Sequence, residues 1–121
     1  MPAKEKVIWT CAVQIPAGPV ITINDQMDIA GYEKYRLIIA KGKDGKASVG
    51  AVDGVMLLAI VPASPSDKLT YKVGSDSVKL DRAVLLAGEG SVAFAKKAFP
   101  DITISNGTGE EAVVDVLVVR V

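Results

Sequence analysis

The sequence predicts an all-β protein, an antiparallel β-sandwich with at most one or two short helical turns. Three observations predict it. Short β-prone runs recur every ~8–12 residues with Gly- and Pro-bearing turns between them. The closing run, residues 113–121, is apolar on both faces: Val114, Val116 and Val118 on one, Val113, Leu117, Val119 and Val121 on the other. Residues 55–61 are also apolar on both faces, and a strand of that kind is covered on both sides.

The elements follow in order. Val7, Trp9, Cys11, Val13 and Ile15 share one face of a first strand, which marks Trp9 and Cys11 as core residues. Pro16-Ala17-Gly18-Pro19 breaks that strand, and Val20 to Ile23 begins a second. Asn24 to Ile29 is more polar, and Ala30 to Glu33 reads as a turn or a single helical turn. Tyr35 to Ala40 is a third strand. Gly42-Lys43-Asp44-Gly45 reads as a hairpin turn into residues 47–52, and Asp53-Gly54 as a tight turn or bulge before the 55–61 run. Residues 62–67 form a loop, residues 69–73 a short strand, and residues 74–77 a turn. Residues 80–87 fit a strand or a short helix. Residues 91–99 contain helix formers, but the strand spacing favours a strand, with Phe94 and Phe99 in the core. Residues 99–121 then read as a β-hairpin turning at Asn106-Gly107-Thr108-Gly109. With no repeat or linker, residues 1–121 are expected to form a single domain.

Composition narrows the function classes. Half the residues are apolar and 23% are charged, as in globular proteins. Lys+Arg and Asp+Glu are equal at 14 each, so no basic excess marks a nucleic-acid binder. Cys11 is the only cysteine, which excludes an internal disulfide, and there is no histidine to serve as metal ligand or acid–base group. Residues 1–6 are charged and lack the apolar core of a signal peptide, which predicts a cytoplasmic chain on synthesis. No apolar run is long enough to span a membrane, so no membrane partner is expected.

Each motif has a bland reading that outweighs the chemical one. Gly42-Lys43-Asp44-Gly45-Lys46-Ala47 has glycines too close together for a phosphate loop and no Ser or Thr after the lysine. Gly88-Glu89-Gly90 is a turn. Asn24, Asp25 and Asp28 bear oxygens suited to Ca²⁺ but are sparse for a calcium loop. Asn106-Gly107-Thr108 matches a glycosylation acceptor and reads better as a turn. No nucleophile–base pair or placed carboxylate pair is indicated, so neither enzyme activity nor a cofactor is expected, and there are no catalytic or metal residues to name. A sugar-binding sandwich would need an exposed aromatic platform, for which Tyr32 and Tyr35 are the candidates.

The 28–39 segment Asp-Ile-Ala-Gly-Tyr-Glu-Lys-Tyr-Arg-Leu-Ile-Ile, the 99–106 segment Phe-Pro-Asp-Ile-Thr-Ile-Ser-Asn and the closing Val-rich strand resemble small jelly-roll proteins of tailed-phage and prophage particles. The resemblance covers about half the chain, and residues 55–90 depart from it. It implies a jelly-roll-like sandwich and a virion role of the capsid decoration or cement type. It also implies a homo-oligomer, a trimer by expectation, that contacts a capsid protein. Val113, Leu117, Val119 and Val121 are the expected interface. The alternative from a different class is a carbohydrate-binding module using Tyr32 and Tyr35.

Overall fold

The computed structural model describes residues 5–121. The expectation drawn from Met1 to Lys4 lies outside the described residues. The described residues form ten strands: β1 (Glu5–Gln14), β2 (Val20–Ile29), β3 (Gly31–Ile39), β4 (Asp44–Ser48), β5 (Val55–Pro62), β6 (Leu69–Val73), β7 (Asp76–Lys79), β8 (Val84–Ala87), β9 (Asp101–Asn106) and β10 (Ala112–Arg120). A single turn of α-helix, α1 (Glu89–Val92), runs into a 3-10 segment over Ala93–Ala98.

Strands β3 to β10 build two antiparallel sheets in the orders β3-β10-β5-β8 and β4-β9-β6-β7. The chain shuttles between them, and the first of these eight strands lies beside the last. This is the double-Greek-key order of a jelly roll. Alternation decides what fills the sandwich. Val114, Val116 and Val118 of β10 point inward with Leu58 and Ile60 of β5, and from the other sheet come Ile102, Ile104, Leu69 and Tyr71. All of these are buried. At Met56 the β5–β10 register shifts, a bulge that bends β5 where α1 packs on it.

Several expectations are corrected. Residues 99–121 do not form a hairpin, because β9 and β10 belong to different sheets. Ile102 and Ile104 of β9 and Val114, Val116 and Val118 of β10 bury best by opposing each other across the core. The loop at Gly107–Glu111 therefore crosses the sandwich rather than closing a ladder. The 42–45 segment is likewise no hairpin turn, since β3 and β4 lie in opposite sheets and Asp44 and Gly45 are already within β4. A Cβ on Gly45 would lie 2.6 Å from Ile39 Cγ1, so only glycine fits this approach of the two strands.

Residues 91–98 are helical rather than a strand, and Phe99 is extended. The buried Val92, Ala95 and Ala98 recur every third residue, the spacing of a 3-10 turn, and Phe94 points away from the core at 85% exposure. The polar 24–29 segment completes β2, and only Ala30 separates it from β3. Trp9 and Cys11 are half-buried rather than central, because β1 and β2 belong to neither sheet of the sandwich.

Candidate interaction surface

β1 and β2 pair along their full length, from Glu5↔Ile29 to Gln14↔Val20. The link is tight: Gly18 N donates to Ile15 O at 2.8 Å and Ile15 N to Pro19 O at 3.1 Å. Cross-strand partners share a face in such a ladder. One face of this arm therefore carries Val7, Trp9, Cys11 and Val13 with Met27, Asp25, Ile23 and Ile21. The other carries Ile8, Thr10, Ala12 and Gln14 with Gln26, Asn24, Thr22 and Val20. From Val7 through Asn24 there is no Asp, Glu, Lys or Arg.

The base of the arm lies on the outer face of the β3-β10-β5-β8 sheet. Ile29, Leu57 and Val119 form a second buried cluster, with Val7, Trp9, Met27, Ala59, Ala87 and Leu117 packed against it. The Ala30 amide donates to Arg120 O at 2.8 Å and fixes where the arm leaves the sheet. Leu117 and Val119, two of the expected interface residues, are thus covered by the chain's own arm. The other half of this outer face is bare. Half-buried Val113 lies there beside Ile38, with Val61 and Leu85 nearby, all three of the latter exposed. Val121 follows the strand, half-exposed, its amide donating to Gly54 O at 2.9 Å.

Charge crosses this bare half at one point. Arg36 Nε and Nη2 donate to the Asp115 carboxylate at 3.0 and 3.4 Å. Accepting from Arg36 holds the Asp115 carboxyl below its usual range, and the same bond raises the Arg36 guanidinium.

The two tyrosines of the sugar-platform reading part company. Tyr32 stands exposed on the outer face opposite Val119, at the edge of a hollow of about 300 Å³ shared with Ala30, Gly31, Glu33 and Arg120. Tyr35 points the other way and packs against the sandwich core. Its hydroxyl donates to Glu33, with Ser48 O 3.0 Å away as a second acceptor. The Glu33 bond, followed by burial, raises this hydroxyl above the ordinary phenol range. Arg120 beside it is a clamp: Nη2 donates to Val49 O at 2.6 Å and Ala51 O at 2.7 Å, and Nη1 to Glu33 at 3.4 Å.

The candidate calcium residues do not converge. Asn24 and Asp28 lie on one face of extended β2 and Asp25 on the other. Among the described residues, no group of three or more Asp, Glu, Cys or His side chains is gathered closely enough to hold a metal ion, and no helix is long and apolar enough to cross a membrane. Asn106 of the glycosylation motif is buried and spends its side chain on internal hydrogen bonds.

The shared face of Val7, Trp9, Cys11 and Val13 is as expected, but Trp9 and Cys11, expected in a core, lie on the arm, and Ile15 falls beyond the end of β1. Fold and surface together define a jelly-roll sandwich carrying an added N-terminal hairpin arm. No family model matches the chain, no curated protein matches it, and no solved structure matches it.

Proposed function

We propose that this chain is a structural protein acting by self-association and protein–protein contact, a virion component of the capsid decoration or cement type. The observation that carries the reading is the pairing of an exposed arm, uncharged from Val7 through Asn24 and apolar on the tip of one face, with a sheet whose half-bare outer face exposes Ile38, Val61 and Leu85 on one small chain. Surfaces of this kind are partner sites when they persist on a soluble protein. The jelly-roll strand order and the segments that resemble phage particle proteins direct the reading to a virion, with a homo-oligomer, trimeric by expectation, and a capsid protein as partners.

The test has two parts. Light scattering should give a mass at least twice that of the 12.6 kDa chain. Mass spectrometry of particles purified from a strain carrying the gene should find the protein in stoichiometric amounts. A single-chain mass at high concentration together with absence from particles would overturn the reading.

The carbohydrate-binding alternative rests on Tyr32 alone, since Tyr35 is engaged inside the sandwich. A glycan array with Tyr32→Ala as control separates the two. A sugar bound by the wild type and lost in Tyr32→Ala would favour the alternative.

A further inference from the structure

We propose that the tip of the β1–β2 arm of one copy docks, apolar face down, on the bare half of the β3-β10-β5-β8 sheet of a second copy. The inference deepens the self-associating reading and rests on it.

The contact has a precedent within the chain. At its base the arm lays Val7, Trp9 and Met27 on Leu57, Leu117 and Val119. Past Asp25, which lies opposite Trp9 on this face, it continues toward the tip as the apolar pairs Cys11↔Ile23 and Val13↔Ile21. There Val13, Ile21 and Ile23 are 57, 63 and 48% exposed. The sheet shows a related pattern: its covered half ends at Leu117 and Ala59, with Leu85 opposite Ala59 46% exposed, and beyond them Ile38 and Val61 are 64 and 44% exposed beside the mutually neutralised Arg36–Asp115 pair. Each copy therefore bears an unused half of the kind of contact it already makes.

The arm is poorly built to stand alone in water. A lone two-stranded hairpin is marginal, and free strand edges in monomers are normally guarded by charges or bulges. This one has ten unbroken pairs and no charge between Val7 and Asn24. Size agrees as well. Five residues of overhang reach about 16 Å, and a four-stranded sheet is about 14 Å across. A stable interface needs roughly 800 Å² per partner. Neither patch is large by itself, but in reciprocal or head-to-tail exchange each copy uses both its arm and its sheet.

The test is a mixed disulfide experiment in a Cys11→Ala background, using exposed positions that leave the core untouched. Chains bearing Ile21→Cys and chains bearing Val61→Cys should form a cross-linked dimer when mixed under mild oxidation. Neither should do so alone. Ile8→Cys, on the opposite face of the arm, should not cross-link to Val61→Cys. A dimer formed by Ile21→Cys alone would mean that arms pair with arms, and no dimer in the mixture would mean that the arm docks elsewhere. Either result overturns the proposal.

A second variant, Ile21→Asp with Ile23→Asp, should reduce the scattering mass to one chain while the strand-rich circular dichroism spectrum is retained. If it keeps the wild-type mass, arm docking is wrong while self-association stands. A wild type that is itself a single chain at all concentrations removes both.

Discussion

The side-chain amide of Asn106 donates to the carbonyl of Ile39 at 3.0 Å, joining the end of β9 in one sheet to the end of β3 in the other. The same amide reaches Glu110 O at 2.8 Å, while its oxygen accepts from the Thr108 amide at 3.0 Å and the Thr108 hydroxyl at 2.5 Å. The Asn106 backbone completes the corner, its amide donating to Lys43 O and its carbonyl accepting from Gly42 N, both at 2.9 Å. One buried polar residue thus sets the path of the chain over the end of the sandwich.

Asn106→Ala should accordingly be costly. It leaves the Ile39 and Glu110 carbonyls without this donor and opens a polar hole, at about 2–4 kcal/mol. Urea unfolding measures it. Thr108→Ala loses one arm of the same network and should cost about 1 kcal/mol.

Val116→Asp should abolish folding. Val116 is fully buried between the sheets, and an unpaired carboxylate there costs several kcal/mol, a large part of the stability of a domain this size. The readout is loss of the soluble, strand-rich circular dichroism spectrum. Lys34→Asp lies on the outer face, exposed opposite Leu117, and should fold as wild type.

The sandwich was legible because its signal is local. Alternation marks β6 and β10, and it separates Val114, Val116 and Val118 from Val113, Leu117 and Val119 without reference to the rest of the chain. Pairing is not local. A strand such as β9 looks the same whether it turns back on β10 or faces it across a core, so the expected hairpin gave way to a crossing between sheets. The arm failed for a related reason: Val7, Trp9, Cys11 and Val13 alternate as core residues do, and alternation does not say which surface will cover them. At Val92, Ala95 and Ala98 a three-residue period was present in the sequence but was outweighed by the expected strand spacing.

Arg120 holds the Val49–Ala51 loop by two short bonds to backbone carbonyls and by Glu33. Arg120→Ala should cost about 1.5–3 kcal/mol, the range for hydrogen bonds to a charged group. Arg120→Lys should recover less than half of that, because an ammonium lacks the planar fork that reaches both carbonyls at once. Thermal unfolding of the pair of variants checks this, and a full rescue by lysine would show that charge alone matters.

The Arg36–Asp115 pair gives a pH signature. The carboxyl of Asp115 is depressed in the folded state by accepting from Arg36. Its contribution is therefore present above the unfolded carboxylate value of about 3.9 and is lost as pH falls through the lower folded value. Asp115→Asn should show a small stability deficit that is constant above about pH 4 and shrinks in more acidic solution. The pair is largely solvent-exposed, so 1 M NaCl should erase most of the deficit.

Trp9 is the only tryptophan and is half-buried at the base of the arm, so its emission reports whether the arm lies on the sheet. Leu117→Asp places a carboxylate under that base, on the outer face, with the sandwich core on the other side of β10 intact. The expected result is a red-shifted Trp9 emission with the strand spectrum retained, at a cost of about 1–3 kcal/mol. Val119→Asp, fully buried in the same cluster, should produce the same shift at higher cost. The comparison with Val116→Asp, one residue away and facing inward, separates the two sides of β10. If Leu117→Asp unfolds the whole chain as Val116→Asp does, the arm base and the sandwich are one cooperative unit. If only the emission moves, the arm is a separately docked element that can lift from its own sheet.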